Sequence, residues 1–179
     1  MKKIGIIGAS YLQVPLVEKT NQMGLESICF AWEDGAVCKT ICSKYYPISV
    51  LNKAEILSIC KKEGVSGVVS IASDIAVPTM AYIADNLGLV GNSIQSAYHT
   101  TNKGAMRKVL SEKGANCPKY HIATPGYDTH CIEEHMSFPL IVKPADRSGS
   151  RGVRKVLNLS ELSVAIGEAF DESFCKEVV

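Results

Sequence analysis

The sequence predicts an α/β protein in which a Rossmann-like parallel sheet is followed by a smaller α+β segment. Two observations favour this fold class. Short apolar runs alternate with amphipathic, glycine-terminated segments up to residue 92, and beyond that point two helices, a hairpin and a further helix replace the alternation. Such alternation is typical of parallel sheets, because each helix carries the chain back to the same edge.

The composition is that of a globular protein without a charge bias. Of the 179 residues, 46% are hydrophobic, which suffices for a buried core. The 19 basic residues balance 18 acidic ones, so we expect no nucleic acid and no membrane as partner, and any anion site must be local. No run reaches the length of a membrane span or carries a signal-peptide pattern. The seven dispersed cysteines are typical of free thiols, so we expect a cytoplasmic protein.

The first half of the chain contains four predicted strands. Residues 3–7 form the first, and a glycine turn at 8–10 joins it to a helix that ends near Gly24. The second strand is predicted at 26–32, and a short third one follows at 45–49.

A capping box opens the next helix, since Asn52 stands three residues before Glu55. A buried strand follows at 65–71, and Ser73 and Asp74 then precede an apolar helix. Ligands of parallel sheets gather beyond the carboxyl ends of the strands. These two residues therefore either cap the helix or contact a substrate, and both interpretations stay open.

The second half begins with helices predicted at 92–101 and from Asn102 onward. Lys103 stands at a helix N-terminus, where the helix dipole disfavours a cation by about 0.3–1 kcal/mol. This lysine is therefore either solvated or held for an anion that the same terminus attracts.

The remaining elements are a strand-like segment at 117–122, a short helix near 131–135 and a helix that Ser160 caps. Residues 175–179 resemble the beginning of another apolar strand. Because a chain seldom stops on an apolar pair without a partner strand, we expect the protein to continue beyond it.

The most informative stretch is the hairpin at 138–156, in which an apolar strand ends at Lys143. The loop at 146–152 has no large apolar side chain to hold it, while its glycines let backbone N–H groups approach a ligand. Ordering it costs roughly 1–2 kcal/mol per residue, which charge-assisted hydrogen bonds of about 1.5–3 kcal/mol each from Lys143 and Arg151 offset. We therefore predict a loop that a polyphosphate orders. An exposed Gly/Ser hairpin with scattered basic residues is the alternative.

The glycine turn after the first strand has part of the layout of a dinucleotide site. The fingerprint G-x-G-x-x-G is absent, because serine and glutamine stand at 10 and 13 where the later glycines belong. The Walker signature is absent as well.

Four segments of the chain form a recognisable set: KKIGIIGASYLQVPLV, SDIAVPTMAYIADNLGLVGNS, NKGAMRKVLSEKGANCPKY and FPLIVKPADRSGSRGVRKV. In their order and spacing they resemble the ATP-grasp superfamily, in particular the carboxylate–amine ligases that include carbamoyl-phosphate synthase large chains and biotin carboxylases. The last two are the specific signals.

The resemblance implies a pre-ATP-grasp domain at 1–92, linking helices at 93–113 and the small subdomain of the ATP-grasp fold at 114–179, incomplete at its C-terminus. It implies contacts to the ATP phosphates from Lys103, Lys143, Ser148, Gly149, Ser150, Arg151 and Gly152. It implies contacts to the acceptor substrate from Gly8, Ala9, Ser10, Ser73 and Asp74. Asp146 departs from the glycine-richest members, because an acid near polyphosphate is unfavourable unless Arg147 or Mg²⁺ balances it.

The implied chemistry is ATP-dependent activation of a small-molecule carboxylate as an acyl phosphate, which an amine or another nucleophile attacks. The Mg²⁺ ligands are implied beyond Val179, so this segment is expected to hold no catalytic residue and to be inactive alone. A homodimer is compatible with the resemblance. Two other classes stay open, an NAD(P)-binding Rossmann oxidoreductase and a non-enzymatic module that binds a small molecule.

Overall fold

A computed structural model covers residues 1–179 and describes every side chain except those of residues 130 and 133. The chain divides into two compact units, an N-terminal unit at Met1–Ala97 and a C-terminal unit at Tyr98–Val179. The finer division at residues 92 and 113 stays a prediction. No helix in the described part of the chain is long and apolar enough to cross a membrane.

The N-terminal unit contains a four-stranded parallel sheet in the order β3-β2-β1-β4, which confirms the predicted fold class. Its strands are β1 (Lys3–Ile7), β2 (Glu26–Phe30), β3 (Lys44–Tyr46) and β4 (Gly67–Val69), and its helices are α1 (Val14–Gln22), α2 (Lys53–Glu63) and α3 (Val77–Leu87). Single 3₁₀ turns lie at Tyr11–Gln13, Val37–Thr40 and Asp74–Ala76.

Separate apolar clusters pack around alternate residues of the central strands. Ile7 and Phe30 belong to a cluster with Ile56 of α2, whereas Ile6 and Val17 of α1 belong to another, and all five are fully buried. Because successive side chains of a strand point to opposite faces, both faces of the sheet are covered, which explains why β1 and β2 are continuous apolar runs.

Local capping signals were predicted correctly at Asn52 and wrongly at Ser160, and they had left the role of Ser73 open. The Asn52 side chain accepts a hydrogen bond from the Glu55 backbone N–H, as predicted. Ser73 stands at the N-cap position of the 3₁₀ turn at Asp74–Ala76, but its side chain makes no capping hydrogen bond. The last helix is capped by Asn158 rather than by Ser160, whose hydroxyl donates to Asn158 Oδ1 at 2.6 Å.

The C-terminal unit packs helices on a small antiparallel hairpin. Its elements are α5 (Lys103–Glu112), α6 (Thr129–His135), β5 (Leu140–Val142), β6 (Arg154–Val156) and α7 (Leu159–Glu172), and α4 (Ile94–Thr101) spans the boundary with the N-terminal unit. Val142, Val156, Leu162 and Val178 lie in its core. The strand predicted at 117–122 is wrong, because ladder hydrogen bonds begin only at residue 123.

The carboxylate of Glu63 ties three elements of the N-terminal unit together. It accepts hydrogen bonds from Lys3 Nζ at 3.0 Å, Lys44 Nζ at 2.7 Å and the Tyr46 hydroxyl at 2.7 Å, and its side chain is 9% exposed. The bonds from Lys44, Tyr46 and Lys3 lower the pKa of Glu63 from its usual value of 4.5 to about 2.

Replacing Glu63 with Gln should reduce the loss of unfolding free energy that occurs as the pH falls below about 4.5. A carboxylate whose pKa is depressed in the folded state stabilises that state above its unfolded pKa, and the contribution is lost as the pH falls from 4.5 to about 2. Urea unfolding between pH 2 and 6 measures this loss. Asp85→Asn, which changes an exposed carboxylate on α3, should leave the profile unchanged. Equal acid dependence in Glu63→Gln and the unsubstituted protein would contradict the role.

Candidate functional site

Backbone pairing with the end of the chain fixes the position of Lys143. Its N–H donates to the Val179 carbonyl and its carbonyl accepts from the Val179 N–H, both at 2.9 Å. Two residues on, the Ala145 N–H donates to the Glu177 carbonyl at 2.9 Å. Residues 143–145 therefore run antiparallel to residues 177–179, which extends β5 beyond its last hairpin residue.

Lys143 lines a cavity of about 470 Å³ within the C-terminal unit, called here the cationic cavity. Its apolar wall includes Ile132, Met136, Ile141, Val142, Leu162 and Ile166. Its other side chains include Arg107, Lys119, His121 and Lys143, and no Asp or Glu is among the described residues that line it. A pocket with an apolar wall and several cations favours an anion that carries an apolar body.

Arg107 influences the protonation of Lys143 in this cavity. Burial, together with the nearby Arg107 guanidinium, lowers the pKa of the Lys143 ammonium. Within the described part of the chain, neither Arg107 nor Lys143 forms an ion pair. A lysine buried in an ion pair would have argued against a role in anion binding, and this lysine is only half-buried and lines an open cavity.

Lys103 holds the loop that follows Lys143. The buried side chain of Asn102 caps α5 by accepting from the Ala105 N–H at 2.8 Å, so Lys103 is the first helical residue, as predicted. Its ammonium donates to the Arg147 carbonyl at 2.5 Å and the Ala145 carbonyl at 3.4 Å. The α5 N-terminus therefore meets the base of the loop.

The segment Ser148–Gly152 forms the glycine-rich loop of the hairpin. Ser148, Gly149, Ser150 and Arg151 are exposed, and no side chain of this segment makes a hydrogen bond to another described residue. Gly149 and Ser150 have positive φ values of 66° and 57°. Most of the loop is therefore free to reach a ligand, as its composition predicts.

Asp146 is an anchor that the sequence did not reveal. Its carboxylate accepts hydrogen bonds from Ser173 Oγ at 3.0 Å, the Phe174 N–H at 3.2 Å and the Cys175 N–H at 2.6 Å. These bonds fasten the beginning of the loop to the turn after α7. The partner is 27 residues away from Asp146 in the chain, so no local pattern indicates it.

Arg147 is engaged with α7 rather than with Asp146. Its Nη2 donates to Glu172 Oε2 at 3.1 Å, and its guanidinium carbon lies 4.4 Å from the centre of the Phe174 ring. Its Nε is buried without a partner among the described residues. Both Asp146 and Arg147 therefore contact the segment 172–175, and the ion pair of Arg147 is with Glu172.

The predicted acceptor residues of the N-terminal unit lie at the carboxyl end of its sheet. Gln13 Oε1 accepts from the Ser10 N–H at 3.0 Å and the Ser10 hydroxyl at 2.7 Å, and Gln13 Nε2 donates to the Ile71 carbonyl at 2.7 Å. Gln13 thereby brings the turn after β1 close to the loop after β4, which contains Ser73 and Asp74. Sequence reasoning did not single out this residue's bridging role.

The same glutamine fills the glycine turn. Gln13 is 3% exposed, and a side chain at Gly8 would place its Cβ 3.0 Å from Gln13. A dinucleotide site needs free N–H groups and close backbone approach at this turn. Here the Ser10 N–H is already bonded, which disfavours the dinucleotide alternative.

The other predicted acceptor residues differ in exposure. Ala9 is buried and its carbonyl accepts from the Cys38 N–H at 2.9 Å, whereas Asp74 is exposed and Ser73 is half-buried. Ala72, just before them, has a φ of 54°, a strained conformation of the kind that clusters at functional loops. Their contact with a substrate stays a prediction.

Comparison with known proteins shows that the chain is similar to parts of several ligases. Residues 110–178 match the family model of the D-ala D-ala ligase C-terminus. An uncharacterised protein, y4rH of Sinorhizobium fredii, is 35% identical over 103 residues, which cover 58% of this chain and 21% of that protein. A carbamoyl phosphate synthase large chain of Streptomyces griseus is 25% identical over 135 residues, covering 72% of this chain and 12% of that protein.

Solved structures share the fold over nearly the whole chain. The L-amino acid ligase of Bacillus licheniformis superposes with a TM-score of 0.76 at 20% identity, covering 99% of this chain and 43% of the ligase. The biotin carboxylase domain of the Hydrogenobacter thermophilus 2-oxoglutarate carboxylase, solved with MgADP and bicarbonate, gives 0.72 at 16% identity, with coverage of 99% and 43%.

The chain shares the fold of solved ligases, and residues 110–178 match the model of a ligase domain. These matches, with the one to a carbamoyl phosphate synthase large chain, confirm the predicted resemblance to the ATP-grasp carboxylate–amine ligases. The chain spans about a fifth or less of the first two curated relatives and less than half of the solved structures.

Replacing Asp146 with Asn should destabilise the C-terminal unit by about 1.5–3 kcal/mol, because hydrogen bonds to a charged acceptor are lost and an NH₂ group faces a backbone donor. Urea unfolding followed by circular dichroism measures the change. Asp171→Asn, an exposed position on α7, should change stability by less than about 0.5 kcal/mol. Equal stability of the two variants would show that the anchor is dispensable.

Proposed function

We propose that the full-length protein is an ATP-dependent ligase that activates a carboxylate as an acyl phosphate. The carboxylate oxygen attacks the γ-phosphorus, the bond to the β,γ-bridging oxygen breaks, and ADP leaves. An amine or another nucleophile then attacks the acyl carbon and phosphate departs. Such transfer depends on positioning and charge neutralisation more than on covalent participation by the protein.

The observation that carries the proposal is the cationic cavity that Lys143 lines. Its lining side chains supply at least two uncompensated cations and no described carboxylate, and its wall is apolar. A nucleotide combines these requirements, because its base is largely apolar and its phosphates are anionic. Lys143 would bind the phosphates from the cavity, and Lys103 would bind them from the base of the loop.

The glycine-rich loop would cover the phosphates. Ser148, Gly149, Ser150, Arg151 and Gly152 would supply backbone N–H groups and one guanidinium. The exposure of residues 148–151 and the anchoring of Asp146 support this assignment, since the loop is held at its beginning and free at its tip.

No Mg²⁺ site is assigned to the described residues. No cluster of three or more His, Cys, Asp or Glu side chains among them fits a metal ion, so no step is assigned to metal within this chain. MgADP is bound in the solved 2-oxoglutarate carboxylase domain. We infer that Mg²⁺ enters here with the nucleotide and that its protein ligands lie beyond Val179.

The acceptor side of the reaction is assigned to the N-terminal unit. We place the acceptor substrate at Gly8, Ala9, Ser10, Ser73 and Asp74, at the carboxyl end of the sheet. The substrates are a small-molecule carboxylate and an amine. The related carboxylase domain forms a dimer, and we propose a homodimer here, in a cytoplasm that keeps the seven described cysteines as free thiols.

Replacing Lys143 with Ala in the full-length protein should weaken MgATP binding at least tenfold, which corresponds to about 1.4 kcal/mol. The reason is the loss of a partly desolvated cation from the phosphate site. Isothermal titration calorimetry gives the dissociation constant. Lys155→Ala removes an exposed lysine from β6, opposite Ile141 in the hairpin, and should leave binding intact. Unchanged MgATP affinity and ATPase rate in Lys143→Ala would refute the proposal.

MgATP should protect the glycine-rich loop from trypsin. Arg151 is exposed in the loop, so cleavage after it should be fast without nucleotide and several-fold slower at saturating MgATP. Mass spectrometry of the fragments over time measures the cleavage rate at that bond. The fragment that is missing from the digest of Arg151→Gln is the one produced by cleavage after Arg151. A cleavage rate that MgATP does not alter would contradict closure of the loop.

A further inference from the structure

The cationic cavity contains a cation that neither the sequence nor the resemblance singled out. Arg107 of α5 is half-buried and lines the cavity together with Lys143. Within the described part of the chain, neither side chain has an acidic partner. Two positive groups are thus held in one partly desolvated space without compensation.

Such an arrangement is costly in the free protein. Burial and the Arg107 guanidinium both lower the pKa of Lys143, which shows that the two cations repel each other. An anion bound between them would replace repulsion with two attractions. Retaining both cations is therefore explained by a ligand with more than one negative charge.

Helix α5 explains how the second cation reaches the site. Lys103 and Arg107 stand four residues apart, so they lie on the same side of the helix. The first binds the Ala145 and Arg147 carbonyls, and the second lines the cavity. A guanidinium offers paired N–H donors that match two phosphate oxygens, which a lysine cannot do.

We propose that Arg107 is a further phosphate-binding residue of the nucleotide site and that it shares the oligophosphate of ATP with Lys143. The inference rests on the proposed function. It adds a residue that orients the phosphate chain. The paired N–H donors of a guanidinium constrain the orientation of a phosphate more strongly than the single ammonium of Lys143 does.

The test compares ligands with and without phosphates. Full-length protein is titrated calorimetrically with ATP, inorganic tripolyphosphate and adenosine at constant ionic strength. Arg107→Gln should weaken ATP and tripolyphosphate at least tenfold and leave the affinity for adenosine unchanged, a split that general loss of structure would not produce. Lys108→Gln, which removes the adjacent exposed cation, should bind all three ligands normally.

Each outcome decides between the two proposals. If Lys143→Gln abolishes tripolyphosphate binding and Arg107→Gln leaves it intact, the inference about Arg107 is overturned and the ligase proposal stands. Binding that neither variant changes would overturn both. If Arg107→Gln does not fold, Arg107→Lys is used instead, because it keeps the charge and loses only the paired donors. A weaker tripolyphosphate affinity of Arg107→Lys supports the role of Arg107, and an unchanged affinity overturns it.

Discussion

The antiparallel pairing of residues 143–145 with residues 177–179 is the constraint on which the C-terminal unit depends. It fixes the backbone of Lys143, and it brings Val178 against both Pro144 and Ala123. Val178 is only 2% exposed and belongs to the core. The pairing therefore connects the apolar interior directly to the edge of the cavity.

The same pairing determines what the following residues can reach. With Ala145 held, its carbonyl accepts from the Lys103 N–H at 2.8 Å, and Asp146 comes within hydrogen-bond distance of the turn after α7. One end of the glycine-rich loop is therefore rigid. Rigidity beside a free loop tip suits a binding site, because the charged groups are positioned in advance and only the cover has to be ordered.

The sequence predicted the elements whose causes are local. The apolar runs of β1 and β2, and the Asn52 cap of α2, follow from residues that are neighbours in the chain. The strand expected at 117–122 was wrong because strand formation depends on a partner, and pairing starts only at Ala123. Ser160 was a mistaken cap because Asn158, two residues earlier, offers the same chemistry at the right position.

The residues of the candidate site likewise divide into those that local motifs predicted and those whose partners are distant in the sequence. Lys103 and Lys143 were identified through motifs that lie within short segments, and their assignment to ATP remains a proposal. Asp146 and Gln13 were not understood from the sequence, since Gln13 reaches across 58 residues to Ile71 and Asp146 across 27 to Ser173. Arg107 went unnoticed because it is significant only through the cavity that it shares with Lys143.

Gly152 limits how the loop can vary. A Cβ atom there would lie 2.9 Å from Pro144 and 3.1 Å from Glu172, and the residue has a φ of 65°. At Gly152, where the loop returns to the C-terminal unit, there is no space for a side chain larger than a hydrogen atom. Gly149, in contrast, has open space around it. Engineered versions of this protein can lengthen residues 148–151 while both points of attachment stay the same, so the reach of the loop is adjustable independently of its attachment.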